Sequence, residues 1–233
     1  MNPRKISIAI DGPAGSGKST IAKQVAINFG YIYIDTGAMY RAITLKALRN
    51  QIPLTDSTRL TTLAKKTAIR LAYEKVDSIT SQLHVYMDDE DVTEEIRSLE
   101  VTNNVSIVAA FAGVREAMVN LQRNMGKQGG VVMDGRDIGS VVLPKAELKI
   151  YLTASVTERC HRRWLELTEK GICVDKQELE EQIRQRDLYD SNREISPLCQ
   201  AKQAILLDTT SLTIEQVVEK VIELALINGA TAK

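Results

Sequence analysis

Eight consecutive residues, Gly12-Pro13-Ala14-Gly15-Ser16-Gly17-Lys18-Ser19, constrain this chain most, because they satisfy the phosphate-loop pattern G-x-x-x-x-G-K-[ST] at every position. Each residue type has a physical reason. Glycines let the backbone curl until successive N–H groups point inward at phosphate oxygens. The N-terminus of the helix that follows adds its positive dipole end. Lys18 is suited to bridge β- and γ-phosphates, and the Ser19 hydroxyl to coordinate magnesium. Residues Gly12 to Ser19, with Thr20, are thus expected to bind ATP, with Mg²⁺ on Ser19. Such a loop works between a strand and a helix, and its flanks agree. Ile6–Ile10 is a short apolar run ended by Asp11-Gly12, as in a buried strand, and Lys18–Phe29 reads as a helix stopped by Gly30.

Further along, strands and helices alternate. Tyr31–Asp35 (YIYID) reads as a strand and Ala38–Leu48 as a helix. From Pro53 to Val92 the character changes: Ile69–Tyr73 and Leu83–Met87 alternate apolar and polar residues around the turn-rich KVDSITSQ, as short antiparallel strands do. Val101–Met125 has helical periodicity, weakened at Gly113. Val131–Asp134, Leu148–Leu152 and Ala204–Asp208 complete a set of five strands. Between and after them lie helices with caps at Ser155/Glu158 (running through Lys170 to Gly171), Asp175/Glu178 and Thr213/Gln216. The apolar face Ile214, Val217, Val218, Val221, Ile222 and Ala225 predicts a last helix, with a frayed tail beyond Ile227. Alternation of this kind implies an α/β fold: a five-stranded parallel sheet flanked by helices, in one domain over residues 1–233.

Charge and composition narrow the partners. Lys+Arg 30 balance Asp+Glu 30, which argues against nucleic acid as a non-specific partner, since that needs a clustered excess of cations. No apolar stretch approaches the roughly 20 residues of a membrane span, and the N-terminal apolar run is too short for a signal peptide. Cys160, Cys173 and Cys199 are odd in number and lack metal-ligand spacing, as reduced cytoplasmic thiols do. His84 and His161 are too few and too separated for a zinc site. With no apolar stripe left over, a monomer is expected.

What the bound nucleotide does depends on what else is present. No N/T-K-x-D guanine-reading motif follows a later strand, and the strand over Val131–Asp134 ends in Asp134-Gly135-Arg136-Asp137 rather than in an Asp-Glu pair. Arg41, Arg115, Arg136, Arg186 and Arg193 cluster at predicted element ends. A planar guanidinium matches phosphate bidentately, so this set suits the grip on a second, anionic substrate that accepts the γ-phosphate. Asp35 and Asp137 are candidate outer-shell magnesium partners, and Asp35 could equally cap the helix of TGAMYR.

The chain resembles the bacterial cytidylate kinases, a family of nucleoside monophosphate kinases. The segments that carry the resemblance are IAIDGPAGSGKST, YIYIDTGAMYRA, MDDEDVTEEIR, VSIVAAFAGVRE, VVMDGRDIGSVVLPKAELKIYLTAS, ERCHRR, IRQRDLYDSNREISPL and AILLDTTSLTIEQVVEKV, in order from about residue 8 to about 221. The resemblance implies a P-loop-type five-stranded parallel sheet, a monophosphate-binding insertion over about 53–100 and a mobile helical lid over about 155–195. It implies transfer of the γ-phosphate of ATP to CMP or dCMP in pyrimidine metabolism. Ser106, Arg115 and Asp137 would read cytosine; Thr36, Arg41, Arg136 and Arg193 would hold the monophosphate; Arg186 and Asp190 would contact the ribose. Arg159, Arg162 and Arg163 of the lid would approach the ATP phosphates, and Lys18 with Arg136, Arg193, Arg162 and Arg163 would carry catalysis. Two departures concern Thr36, where some relatives carry Ser, and Glu90, where the family often has glycine.

Overall fold

The apolar run after Lys5 becomes strand β1 (Ser7–Asp11), buried over its last four residues, and the phosphate loop leads from it into helix α1 (Lys18–Phe29). Gly30 ends α1 in the left-handed conformation (φ 64°), its N–H bonded back to the carbonyls of Ala26 and Ile27. Strand β2 (Ile32–Asp35) follows. The protein is described by a computed structural model covering residues 5–75, 81–169 and 171–231. The chain divides into two compact units, Met1–Ile34 with Met125–Lys233, and Asp35–Asn124.

The Asp35–Asn124 unit opens with helix α2 (Thr36–Arg49), whose N-cap is Asp35: its carboxylate accepts from the Ala38 N–H at 2.8 Å. Such a cap contributes about 1 kcal/mol. Of the two roles open to Asp35, the helix cap is the one the structure shows. Helix α3 (Ser57–Lys66) is capped in the same way by Asp56. Strands β3 (Ile69–Lys75) and β4 (Ser81–Met87) pair antiparallel, and β5 (Glu90–Asp91) adds to the far side of β4. The alternating pattern foresaw this small sheet; the turn expected between its first two strands falls largely outside the described residues. The β4–β5 turn places Asp88 and Asp89 at positive φ (50° and 68°), so the left-handed conformation precedes Glu90 rather than falling on it. Glu90 instead takes a two-pronged bond from Arg49, at 2.7 and 2.8 Å.

A 3₁₀ turn (Glu95–Arg97) leads to α4 (Leu99–Val108) and α5 (Ala112–Gly126). The single helix expected over Val101–Met125 is therefore two. The break falls at Ala109–Phe111, where the i→i+3 bonds Ala110 N–H to Ile107 and Phe111 N–H to Val108 tighten the last turn of α4. Arg115 Nη1 then caps the buried carbonyl of Ala109 at 3.1 Å. Gly113 is not a flaw in α5. A Cβ there would lie 2.3 Å from the Thr61 side chain, so the glycine allows a close approach to α3. Helix α2 packs on α3, α4 and β4, around a core that includes Met39, Ile43, Leu60, Val85 and Ile96.

In the other unit, strand β6 (Val131–Gly135) is buried throughout. A π-helical turn (Ile138–Val142), strand β7 (Leu148–Thr153), helices α6 (Val156–Glu169) and α7 (Lys176–Asn192), strand β8 (Ile205–Asp208) and helix α8 (Ile214–Ile227) complete it. The expected end of α6 at Lys170 lies outside the described residues. The sheet order is β2-β6-β1-β7-β8, and β1 pairs parallel with both β6 and β7. Helix α1 packs on β6 and β1, and α8 packs on α1. Thr213 and Gln216 form the expected capping box, and Asp175 accepts from the N–H groups of Gln177 and Glu178. Helices α6 and α7 pair around a small core of their own: Cys160, Leu167, Leu179 and Ile183, with Trp164 against it. Among the described residues no helix is long and apolar enough to cross a membrane.

Candidate active site

In an open α/β sheet, ligands bind outside the carboxyl ends of the strands. Here the phosphate loop leaves the end of β1. Gly12, Gly15 and Gly17 adopt φ values of 153°, 74° and 87°. At Gly12 the reason is also steric: a Cβ would sit 2.0 Å from the Leu152 carbonyl oxygen. Lys18 is buried, and its ammonium folds back on the loop, donating to the Pro13 carbonyl at 2.6 Å and to Ser16 Oγ at 3.2 Å. Burial, reinforced by the nearby Arg136 charge, holds the Lys18 ammonium well below the usual lysine range. A loop whose main charge is this poorly solvated gains from an anion that takes up the ammonium's hydrogen bonds.

Ser19 Oγ donates to Asp134 Oδ2 at 2.8 Å, and Tyr33 OH donates to Asp134 Oδ1 at 2.9 Å. This hydroxyl–carboxylate pair is the oxygen donor set that Mg²⁺ prefers. Sequence reasoning leaves Asp134 and Tyr33 out of the site. A usable sign was there, since an apolar run closed by an acid is how strands carry a carboxylate to a phosphate loop. Asp11, at the end of β1, is a second omission. Its two oxygens accept from the N–H groups of Ile138 and Gly139, each at 2.7 Å, and so tie the π-helical turn that follows Asp137 to the sheet.

Arg136, Asp137, Arg186, Asp190 and Arg193 form a charged wall beside the loop. Arg136 Nε donates to Asp190 Oδ2 at 2.9 Å. Burial alone would raise the Asp190 carboxyl, but the charges of Arg136 and Arg186 and the Arg136 hydrogen bond outweigh it and hold it below the usual range. Arg193 Nη2 lies 3.8 Å from Asp137 Oδ1, and its Nε donates to the Ser196 carbonyl at 2.5 Å. Arg186 sits one turn before Asp190 on α7, close enough for its charge to act on both Asp190 and Lys18.

The three arginines of ERCHRR have separate engagements. Arg162 bonds Glu158 at 2.8 Å and, through Nη1 and Nη2, the hydroxyl and carbonyl of Thr209 at 3.0 and 2.7 Å. It also lies beside Gly17. Arg163 pairs with Glu166 at 2.6 Å on its own helix. Arg159 is buried, and its guanidinium bonds the Ala154 carbonyl, the Ala14 carbonyl and Asp187 at 3.0, 2.9 and 2.6 Å.

Thr36, Arg41, Ser106 and Arg115 belong to the Asp35–Asn124 unit. Thr36 is buried in the first turn of α2, and Arg41 Nη1 turns back toward Gly37 in that same turn. Arg115 is buried, with its guanidinium 5.5 Å from the centre of the Tyr40 ring. Ser106 is half-buried on α4, one turn before the Ala109 carbonyl that Arg115 bonds. Among the described residues no cluster of three His, Cys, Asp or Glu side chains could hold a metal, and the three cysteines are free thiols.

Residues 8–226 match the family model described as cytidylate kinase. The chain is 55% identical over 215 residues to the cytidylate kinase of Desulforamulus reducens, covering 92% of this chain and 94% of that protein. It is 54% identical over 221 residues to the cytidylate kinase of Bacillus licheniformis, covering 95% and 96% of the two. Among solved structures it is similar to a Thermus thermophilus protein at a TM-score of 0.50 and 14% identity, covering 98% of this chain and 100% of that one, a likeness of fold.

Proposed function

This chain belongs to the cytidylate kinase family, and from that premise we infer that it transfers the γ-phosphate of ATP to CMP or dCMP, giving ADP and CDP or dCDP. The observation that carries the reading is the buried Lys18 of the phosphate loop beside the Arg136–Asp190 pair: one site for a nucleoside triphosphate, with a guanidinium wall for a second phosphate.

An oxygen of the acceptor phosphate attacks the γ-phosphorus, and the bond from that phosphorus to the ADP oxygen breaks. The attacking oxygen is already anionic, so positioning and electrostatics carry the rate without a general base. Lys18 exchanges its bonds to Pro13 and Ser16 for phosphate oxygens. Arg136, Arg193 and Arg41, with the Thr36 hydroxyl, hold the monophosphate, and Arg162 and Arg163 meet the charge that spreads over the moving group. Asp190 and Arg186 contact the ribose. Ser106, Arg115 and Asp137 read cytosine, whose amino donor beside two acceptors suits a carboxylate paired with a guanidinium. Ser19, backed by Asp134, would hold Mg²⁺, which would neutralise charge on the phosphate oxygens. The balanced charge supports nucleotides rather than nucleic acid as partners, the free thiols support a cytoplasmic location, and the lack of a leftover apolar stripe in the sequence supports a monomer.

A coupled assay of ATP with CMP, dCMP, UMP, AMP and shikimate tests the reading. CMP or dCMP should lead by orders of magnitude, and a lead by any other acceptor overturns it. Lys18→Ala should lower kcat at least roughly 100-fold in protein that remains folded. Activity within tenfold of wild type would exclude the loop as catalytic.

A further inference from the structure

The phosphate loop is held from behind by helix α6. Arg159 Nη1 donates to the Ala14 carbonyl at 2.9 Å, its Nη2 pairs with Asp187 of α7 at 2.6 Å, and its Nε is fixed on Ala154 at 3.0 Å. All peptides of the described residues are trans, so each N–H points opposite to its own carbonyl. Drawing the Ala14 carbonyl toward Arg159 thus aims the Gly15 N–H away from it, and the guanidinium polarises that peptide into a stronger donor. Gly15 fits under α6 for the same reason: at φ 74°, a Cβ would lie 3.2 Å from both Cβ and the carbonyl oxygen of Arg159.

Asp187 also faces the wall. It lies three residues before Asp190 on α7, on the same helical side, and its charge acts on Arg136, which Asp190 bonds at 2.9 Å. One face of α7 therefore joins the loop, through Arg159, to the guanidinium of Arg136. The arrangement is costly for stability alone: Arg159 is 4% exposed, and the buried Oδ1 of Asp187 has no hydrogen-bond partner.

We propose that Arg159 and Asp187 are a positioning pair, not ligands of ATP, through which nucleotide seated on the phosphate loop aligns Arg136 for the acceptor phosphate. A nucleotide that pulls the loop's N–H groups inward presses the Ala14 carbonyl onto Arg159, steadying α7 and with it Asp190 and Arg136. The two sites then bind cooperatively, each paying the ordering of α7 for the other. This rests on the functional reading above, in which Arg136 faces the acceptor.

Calorimetry on the full chain tests it. The Kd for CMP is measured with and without saturating Mg²⁺ and AMP-PNP, in wild type, Arg159→Lys, Asp187→Asn and the double variant. Wild type should bind CMP at least about fivefold more tightly with AMP-PNP present. Either single variant should bring that ratio close to one, whatever change it makes in the Kd for AMP-PNP alone, and the double variant should be no worse than the singles. If Arg159→Lys weakens AMP-PNP itself and Asp187→Asn is silent, Arg159 is an ATP ligand and the brace is refuted. A lowered melting temperature with the ratio intact reduces the pair to scaffolding and also refutes it. Wild-type protein that binds no CMP in either condition overturns the functional reading itself, and the acceptor half of the brace with it.

Discussion

Burial pushes the Asp11 carboxyl up to about 6 from 3.8, although the N–H groups of Ile138 and Gly139 pull the other way. The native protein thus holds this proton to a higher pH than the unfolded chain does. Between about pH 4 and 6 the folded state binds the extra proton, so the Asp11 contribution to stability falls as pH rises and is level above that window. The total is on the order of 3 kcal/mol. Asp11→Asn should remove this slope, so urea unfolding from pH 4 to 7 should show wild type minus variant declining with pH; parallel profiles would contradict the burial of a charge there. Asp137 makes a different kind of prediction. Its carboxylate should accept from the cytosine amino group, where uracil offers a carbonyl that repels it. Wild type is then expected to prefer CMP to UMP by several orders of magnitude in kcat/KM, and Asp137→Asn to narrow the ratio mainly by losing CMP activity. An unchanged ratio would leave Asp137 with no part in base reading. Legibility at this scale followed chain distance. The loop residues from Gly12 to Ser19 are contiguous and were readable, whereas Ser19 and Asp134 stand 115 residues apart, and the acid that closes the apolar run Val131–Asp134 marks a carboxylate near the loop without naming the residue it bonds. Arg159 could be recognised as an arginine near the phosphates but not as one already committed to Ala14 and Asp187.

Helix ends were legible where the cap is local. Asp175, Thr213 with Gln216, and Gly30 each satisfy backbone groups within a turn of themselves. The break between α4 and α5 was not, because Ala109-Ala110-Phe111-Ala112 are all acceptable in a helix and what redirects the chain is tertiary. Gly113 lies against Thr61, and Arg115 reaches back to the Ala109 carbonyl. A helical glycine is usually about 1 kcal/mol worse than alanine. At position 113 the sign should reverse: the new methyl meets a β-branched side chain with little rotamer freedom, at an overpacking cost of about 1–3 kcal/mol. Gly113→Ala should therefore lower the urea midpoint, and Thr61→Ala in the same background should recover part of the loss. A higher midpoint for Gly113→Ala alone would show that α3 and α5 are not in contact there.

For the whole molecule, ligands that bind only the folded chain stabilise it by mass action. CMP at 100 times its Kd should add about 2.7 kcal/mol, or roughly 5–10 °C in melting temperature for a chain of this length. UMP at the same concentration should leave it nearly unmoved, and an equal shift by both would argue against a cytosine-specific site. The sheet that carries the phosphate loop has a further consequence, in the order of synthesis. Ser7 pairs with Val131 and Ile8 with Leu148, so the central strand has no partner on either side until more than a hundred later residues are made. At about 5–20 residues per second a ribosome takes roughly 6–25 s to cover that gap. All of Asp35–Asn124 has been synthesised in the meantime, while the apolar β1 waits unpaired and Ser19 has no Asp134 to meet. A nascent chain thus goes without help from nucleotide for most of its synthesis, and the central strand of its sheet is the one a chaperone has longest to hold.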